Sequence, residues 1–227
     1  MNMTRSQIIN GLIKKHGYKT YLEIGVNTPA QPGYNWKNLV VDLKHGVDPN
    51  PKVGATFPVT SDEFFTKHIN MKYDIVFVDG LHVFDQAYRD IVNSLKNLNE
   101  GGTIVVHDCN PLKEEYQHPV HTPGIWLGDV WKAILKLRME EPDLKIYVVD
   151  TDFGCGIIQR GSQEVFDAKK YFPEGKFTES DIYDFSFLNT HRKEILQLMS
   201  PRKFKTIIGT ATWLDKVIVA LTDKLGL

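Results

Sequence analysis

Acidic and histidine residues follow two strongly apolar segments of the sequence. One segment ends at Asp79, with His82 three residues later, and the other runs directly into His107 and Asp108. A helix-length segment, 83–99, separates them, and this pattern predicts a parallel βαβ unit. Ligands of open α/β sheets bind beyond the carboxyl ends of the strands. We therefore expect the four side chains to converge on one crevice.

Two kinds of chemistry suit these side chains. Carboxylate oxygens are the ligands that hard ions such as Mg²⁺ prefer, so Asp79 and Asp108 are the predicted metal ligands. A site that includes His107 suits Mn²⁺ or another transition ion better. Alternatively, no metal takes part and His82 or His107 accepts a proton near its own pKa. The predicted catalytic residues are His82, His107 and Asp108.

Hydrophobic periodicity predicts the elements that position these residues. Apolar residues recur at helical spacing over 4–16, with Thr4 as the N-cap and Gly17 as the stop. Strand and helix alternate from Tyr21 to Ile158, so the predicted fold class is α/β, with a doubly wound, mostly parallel sheet covered by helices on both faces. Strands are predicted at 20–26, 44–51, 55–59, 73–79, 103–108, 144–149 and 154–158, and further helices from Ser61, at 84–98 and at 127–139.

The pattern becomes helical after Arg160, so we predict a domain over 1–160 and a helical C-terminal extension over 161–227. Helices are expected at 182–199 and 211–225, with a connection at Pro201 to Lys203. The last helix should pack its apolar stripe on its own domain or on a partner subunit, which makes a homo-oligomer plausible. The alternative is a peripheral membrane contact, since lysines flank the stripe. The stripe consists of Trp213, Val217, Leu221 and Leu225, flanked by Leu214 and Ile218.

Composition excludes several classes of protein. The chain has 227 residues, 42% hydrophobic and 24% charged, which is typical of a globular protein. A net charge of -1 gives no general attraction to nucleic acid. Two cysteines are too few for a disulfide framework. No apolar run is long enough to span a bilayer and no signal-peptide pattern opens the chain, so a cytoplasmic location is expected.

The loop after the first predicted strand lacks the glycine pattern of a dinucleotide-binding site. A dinucleotide site needs a Gly-x-Gly-x-x-Gly turn, whereas only Gly25 is present here. An acid after the second strand is expected to accept hydrogen bonds from ribose hydroxyls. Asp48 is the predicted acid, and Asp42 competes if the second strand is 38–43 instead.

Seven motifs in this order resemble the class I S-adenosylmethionine (SAM)-dependent methyltransferases, specifically the small-molecule and sugar O-methyltransferase type. That group is often associated with surface-polysaccharide and secondary-metabolite pathways. The resemblance covers residues 18–160. The motifs are Glu-Ile-Gly-Val (23–26), Gly-Val-Asp-Pro (46–49), Thr-Ser-Asp-Glu-Phe-Phe (60–65), Phe-Val-Asp-Gly-Leu-His (77–82), Gly-Thr-Ile-Val-Val-His-Asp-Cys (102–109), Trp-Leu-Gly-Asp-Val-Trp-Lys-Ala (126–133) and Val-Val-Asp-Thr-Asp-Phe-Gly-Cys-Gly (148–156).

The resemblance implies a Rossmann-like fold, SAM as the cofactor, a small-molecule acceptor such as a sugar or glycan precursor, and an ion at Asp79 and Asp108. Related metal-assisted enzymes have a second acid where this chain has His107. The chain also departs from the family at residues 27–32, where no glycines follow the Glu-x-Gly motif. The implied cofactor-binding residues are Glu23, Gly25, Asn27, Asp48, Ser61, Asp62 and Asp79.

Other interpretations of individual residues stay open. Glu23 is otherwise a polar strand end, and Ser61 with Asp62 otherwise only begins a helix. The loop 110–124, with His118 and His121, is either a lid over the crevice or a solvated loop. Trp126 and Trp131 are core residues or a platform for a sugar ring, with core favoured for Trp131.

The leading hypothesis is therefore a SAM-dependent O-methyltransferase. The second is a non-catalytic, Rossmann-like accessory or scaffold protein whose altered loop no longer binds SAM. A metal-dependent hydrolase that uses the acid and histidine cluster is the third.

Overall fold

A six-stranded sheet forms the centre of the protein. A computed structural model describes residues 3–30 and 34–225, so Gln31 and Pro32 of the altered loop lie outside the described residues. The strands are β1 (Thr20–Ile24), β2 (Leu43–Val47), β3 (Tyr73–Val78), β4 (Leu98–Val106), β5 (Leu144–Val149) and β6 (Cys155–Arg160). The helices are α1 (Arg5–His16), α2 (Ser61–Glu63, continued by a π-helix over Phe64–His68), α3 (Phe84–Lys96), α4 (Trp131–Glu140), α5 (Glu179–Ile182), α6 (Phe185–Leu196), α7 (Pro201–Ile207) and α8 (Trp213–Leu225).

The strand order is β2-β1-β3-β4-β6-β5. Strands β2, β1, β3 and β4 are parallel neighbours, and β6 runs antiparallel to both β4 and β5. The expected α/β, mostly parallel sheet is confirmed. The predicted strand at 55–59 is wrong, because this segment forms only an isolated bridge between Val47 and Phe57. Pro58 follows that bridge and has no N–H to continue a ladder.

Helices cover both faces of the sheet, as the alternating pattern predicts. Side chains of α3, α4 and α6 pack on one face against strand residues such as Val76 and Ile104. Side chains of α1 and α7 pack on the other face against their neighbours along the same strands, such as Phe77 and Val105. The central strands are buried on both sides, which explains their continuous apolar sequences.

Helix α1 begins and ends where the sequence predicts. The Thr4 side chain accepts a hydrogen bond from the Gln7 backbone N–H, and the Gln7 side chain accepts one from the Thr4 backbone N–H. At the other end, Gly17 adopts a left-handed φ of 69° that disfavours other residues.

The C-terminal region differs from the prediction in two places. The helix predicted at 182–199 is the shorter α6, because Asp184 accepts a hydrogen bond from the Ser186 N–H and caps a helix that begins at Phe185, after the separate α5 has ended at Ile182. Pro201 lies in the first turn of α7 rather than in a connection, a position that tolerates proline because its N–H would be unpaired anyway. Helix α4 also begins later than predicted, at Trp131. No helix in residues 3–30 and 34–225 combines the length and apolar character needed to cross a membrane.

Candidate active site

Strands β1 and β3 are neighbours from which the chain proceeds to opposite edges of the sheet, so a crevice opens at their carboxyl ends. Gly25 follows β1 there, with a φ of 86°. A Cβ atom at this position would lie 2.1 Å from the Asp79 carbonyl oxygen, so only glycine fits. The first loop of the predicted cofactor site thus requires its single glycine.

A cavity of about 1030 Å³ lies at these strand ends. Its walls include nine of the predicted site residues: Gly25, Asn27, Asp48, Ser61, Asp62, Asp79, His82, His107 and Asp108. It reaches the size expected for a cofactor site.

Asp48 lies at the wall where the ribose is expected. Its carboxylate accepts hydrogen bonds from the backbone N–H groups of Asn27, at 3.1 Å, and Asn50, at 2.9 Å. The competing acid, Asp42, is exposed and paired with Lys19, and it does not line the cavity. The geometry therefore favours Asp48 over Asp42.

Ser61 and Asp62 line the cavity at the start of α2. Thr60, rather than Ser61, caps this helix, since its side chain accepts from the Glu63 N–H. The Gln86 amide nitrogen contacts the Ser61 hydroxyl at 3.1 Å and an Asp62 oxygen at 3.3 Å. Gln86 from α3 thus holds both predicted residues against the cavity.

Glu23 lies elsewhere than its prediction as a cofactor ligand implies. Its carboxylate is 1% exposed, does not line the cavity and accepts a hydrogen bond of 2.9 Å from the Tyr21 hydroxyl. Asn35 donates to the same hydroxyl. Burial raises the pKa of Glu23 to about 8. Glu23 thus belongs to a buried polar network beside β1, and its role toward the cofactor stays a prediction.

The two acids and two histidines converge as the strand ends predict. The His82 ring lies between two carboxylates, with Nε2 at 3.3 Å from Asp79 and Nδ1 at 3.2 Å from Asp108. The His107 Nδ1 atom is 3.2 Å from Asp79 and 2.9 Å from Asp108. Asp108 has a left-handed φ of 58°, an uncommon conformation that a carboxylate can adopt more readily than a bulky side chain.

Mutual electrostatics shift the pKa of three of these groups. Burial opposes protonation of His107, but Asp79 and Asp108 outweigh it and hold the pKa of His107 well above its usual value. Burial also opposes protonation of His82, and the adjacent Asp79 carboxylate raises the pKa of His82. Burial favours the neutral form of Asp79, yet the two histidines lower its pKa well below the usual range.

Two further members of the cluster were not predicted from the sequence. The Arg5 guanidinium, at the start of α1, bonds to Asp79 at 3.0 Å and to Asp152 through Nε at 3.0 Å and Nη2 at 3.1 Å. Asp152 also accepts from the Arg5 backbone N–H and lies 3.5 Å from His107 Nε2. Strand β5 ends at the same sheet edge as β4. The position of Asp152 shortly after β5 was therefore a signal from which its place in the cluster could have been predicted. No local pattern marks Arg5.

The donor set of the cluster fits a divalent cation. One ligand atom each from Asp79, His82 and Asp108 lies within 4.8 Å of the others. Four buried atoms have no hydrogen-bond partner of good geometry among the described residues: His82 Nδ1, His107 Nδ1, His107 Nε2 and Asp108 Oδ1. Buried polar atoms are normally paired, so these unpartnered atoms favour a ligand at this position. The predicted pair Asp79 and Asp108 gains His82 as a third donor.

An aromatic side chain lies beside the acid and histidine cluster at the cavity wall. The Trp126 ring stacks on His82, with centroids 5.0 Å apart and an interplanar angle of 18°. His121 and Trp126 both line the cavity, whereas the His118 backbone oxygen accepts from the Trp126 indole N–H. Trp131 is fully buried, in agreement with its predicted core position. The predicted loop thus contributes His121 to the wall, and Trp126 follows it.

Part of this chain resembles known methyltransferases. Residues 12–109 match the family model described as a methyltransferase domain. A search of curated proteins finds no match. The O-methyltransferase TomG from Streptomyces achromogenes, involved in tomaymycin synthesis and solved in complex with SAM, has a TM-score of 0.50 at 15% identity, over 70% of this chain and 80% of that one.

A methyltransferase from Podospora anserina, solved with bound S-adenosylhomocysteine (SAH), has a TM-score of 0.49 at 16% identity, over 70% of this chain and 78% of that one. At these identities structural likeness shows the fold alone. The family match spans β1 to β4 and includes the two acids and two histidines of the cluster. The expected Rossmann-like fold is confirmed, and residues 12–109 resemble a methyltransferase domain, as the motifs indicate.

Proposed function

We propose that this protein is a SAM-dependent methyltransferase of class I and that it transfers the methyl group to a hydroxyl oxygen of a small polar acceptor, a sugar or glycan precursor. The observation that carries the proposal is the single cavity that joins Gly25 and Asp48 to the acid and histidine cluster. A polar acceptor is favoured because the charged side chains of the cluster line the cavity. The flat Trp126 ring beside His82 suits a sugar ring.

The cofactor side of the cavity is assigned to residues of the first three strand ends. When bound, SAM supplies an activated methyl group. The Asp48 carboxylate would accept hydrogen bonds from the ribose hydroxyls, and Gly25 permits close approach of the backbone. Asn27 lies beside Asp48, while Ser61 and Asp62 would bound the adenine. Asp79 is a member of the cluster, and its backbone lies close to Gly25.

The acceptor side is assigned to the histidines and Asp108. His82 or His107 would accept the hydroxyl proton, which requires a neutral ring. The neighbouring carboxylates raise the pKa of both rings, so both rings favour the protonated form. A neutral ring requires that the negative charge of these carboxylates is offset. Asp79, His82 and Asp108 would hold a Mn²⁺ or Mg²⁺ ion, whose charge lowers the pKa of a bound hydroxyl. With such an ion in place, His107 is the better base.

Calorimetric titration with SAH tests the cofactor assignment. We expect micromolar binding to the purified chain, with a further heat when Mn²⁺ or Mg²⁺ is titrated and none for the ion in an Asp79→Asn, Asp108→Asn variant. The ion titration is run with and without SAH, so the two sites are separated. Methylation of a panel of sugars, nucleotide sugars and simple phenols then identifies the acceptor class.

Failure to bind SAH under any of these conditions would favour the accessory or scaffold hypothesis, which rests on the missing glycines of residues 27–32. Metal binding without SAH binding would favour the hydrolase hypothesis. A cytoplasmic location and a role in surface-polysaccharide or secondary-metabolite pathways remain predictions.

A further inference from the structure

The C-terminal hairpin, residues 201–225, carries an exposed apolar surface. Along one side of α8, exposed fractions are 76% for Trp213, 58% for Leu214, 56% for Leu221 and 69% for Leu225. The opposite side of α8 packs on α7, where Asp215 is buried. The stripe, which the sequence predicts to pack on its own domain or on a partner subunit, is therefore not covered by its own domain. Four large apolar side chains on one helix exceed the scattered exposure typical of protein surfaces.

The charges of the same hairpin are unbalanced. Both of its acids are engaged by cations of α7: Asp215 lies 3.6 Å from Arg202, and Asp223 lies 2.8 Å from Lys203. Three lysines have no ion pair within the described part of the chain. Five basic and two acidic residues give the hairpin a charge of +3, against -1 for the whole chain. The unpaired lysines are Lys205, Lys216 and Lys224.

We propose that α8 is a docking surface for an anionic lipid bilayer, with the Trp213 to Leu225 stripe inserted at the headgroup level. An amphipathic helix with lysines beside its apolar face lies in the membrane interface, where anionic lipids attract the lysines. Lys216 and Lys224 can extend their charged ends to the headgroups while their stems cover the stripe. Trp213 suits the same boundary, since it has an apolar ring and a polar N–H.

Charge favours lipid over a second copy of the chain as the occupant. A two-fold interface brings the same surface of both copies together. Two such hairpins would then place six unpaired lysines around one apolar contact, with no acid of the hairpins left to neutralise them. An anionic bilayer supplies that negative charge. This proposal is independent of the acceptor and of the cofactor assignment.

Sedimentation with vesicles tests the proposal. The full chain is mixed with phosphatidylcholine vesicles that contain or lack phosphatidylglycerol, at low and high salt. We expect co-sedimentation only with the anionic vesicles and release at high salt, because the Debye length shortens. A Lys216→Gln, Lys224→Gln variant should bind about 30-fold more weakly. A Trp213→Ala, Leu221→Ala variant should lose at least about 10-fold.

Matched controls lie outside the hairpin. Val40→Ala removes an equally exposed apolar side chain, and a Lys96→Gln, Lys145→Gln variant removes the same charge as the lysine variant. Both should bind vesicles like the unchanged protein. Thermal unfolding, measured for every variant, reports that the domain is folded.

Three results would overturn the proposal: no binding to either vesicle, equal binding to neutral and anionic vesicles, or a dimer in solution that the Trp213 variant converts to monomer. The last result would assign the stripe to a second copy of the chain.

Discussion

Asp48 is proposed to bind the cofactor without taking part in the methyl transfer itself. It lies at the cavity wall beyond β2 with both oxygens partly engaged by backbone N–H groups. Replacing it by alanine should weaken SAH binding by about 10- to 100-fold, because hydrogen bonds to a charged acceptor are among the stronger ones. Isothermal titration measures this change. Asp42→Ala is the matched control, and a comparable loss there would reverse the assignment.

Asp108 should show the opposite behaviour. It contacts both histidines and lies beyond the end of β4, away from the proposed ribose position. Asp108→Ala is expected to lower kcat by at least about 100-fold while leaving the SAH dissociation constant within about twofold. Single-turnover methylation and titration measure the two quantities separately. Loss of SAH affinity in this variant would instead place Asp108 in the cofactor site.

Glu23 predicts a pH dependence of stability. Its pKa is about 8 in the folded protein, above the usual value for an unfolded chain, because burial disfavours the carboxylate. Below the unfolded pKa both states bind the proton, so Glu23 costs nothing there. As pH rises towards 8 the unfolded state alone ionises, and stability is lost over that range.

The Glu23→Gln substitution removes this titration while keeping an acceptor for the Tyr21 hydroxyl. The difference in melting temperature, variant minus unchanged protein, should increase between about pH 5 and about pH 8 and stay constant above that range. Thermal unfolding at several pH values measures it, with the exposed Glu141→Gln as control. A difference that does not vary with pH would contradict the buried position of Glu23.

At the scale of elements, the segment that carries Trp126 is held against His82 by its backbone. Gly128 has a φ of 61°, and a Cβ atom there would lie 1.6 Å from the His82 carbonyl oxygen. Asp129 donates its N–H to the same oxygen and accepts from the Phe84 N–H at the start of α3. These contacts position Trp126 on the His82 ring and close one end of the cavity.

Gly128→Ala should therefore displace the segment. We expect a loss of about 2 kcal/mol or more in the free energy of unfolding, together with a raised KM for the acceptor. Gly124→Ala is an informative control, because Gly124 also has a positive φ but no atom within 4 Å of its added Cβ. Chemical denaturation and steady-state kinetics measure both variants. Equal effects at the two glycines would mean that backbone strain, and not the contact with His82, is responsible.

At the scale of the whole molecule, Arg138 joins the C-terminal region to the sheet. This residue of α4 is 4% exposed, and its guanidinium donates to the carbonyls of Glu194 and Ile195 at the end of α6. It also donates to Gln163 and Glu164 just after β6. A buried cation with these acceptors couples the predicted extension, 161–227, to the 1–160 domain.

Arg138→Met should lower the free energy of unfolding by about 3 kcal/mol, because the buried carbonyl of Ile195 and the part-buried carbonyls of Glu164 and Glu194 lose their partner. Unfolding in urea is expected to remain one cooperative transition with a lower midpoint, whereas Arg160→Met, at an exposed site, should change it little. Two separate transitions in the unchanged protein would show instead that the extension unfolds independently.

Local sequence determined the α/β fold, the capped first helix and the position of the site. Continuous apolar runs require burial on both faces, and parallel strands must end at one edge, so the convergence of Asp79, His82, His107 and Asp108 follows from the sequence pattern alone. Only the tertiary structure decided the rest. Arg5 meets Asp152 at the cluster, although the two residues are 147 positions apart in the chain. Glu23 lies in a polar network rather than at the cavity wall. The stripe of α8 is not covered by its own domain. These outcomes depend on which elements pack against one another, and local periodicity does not contain that information.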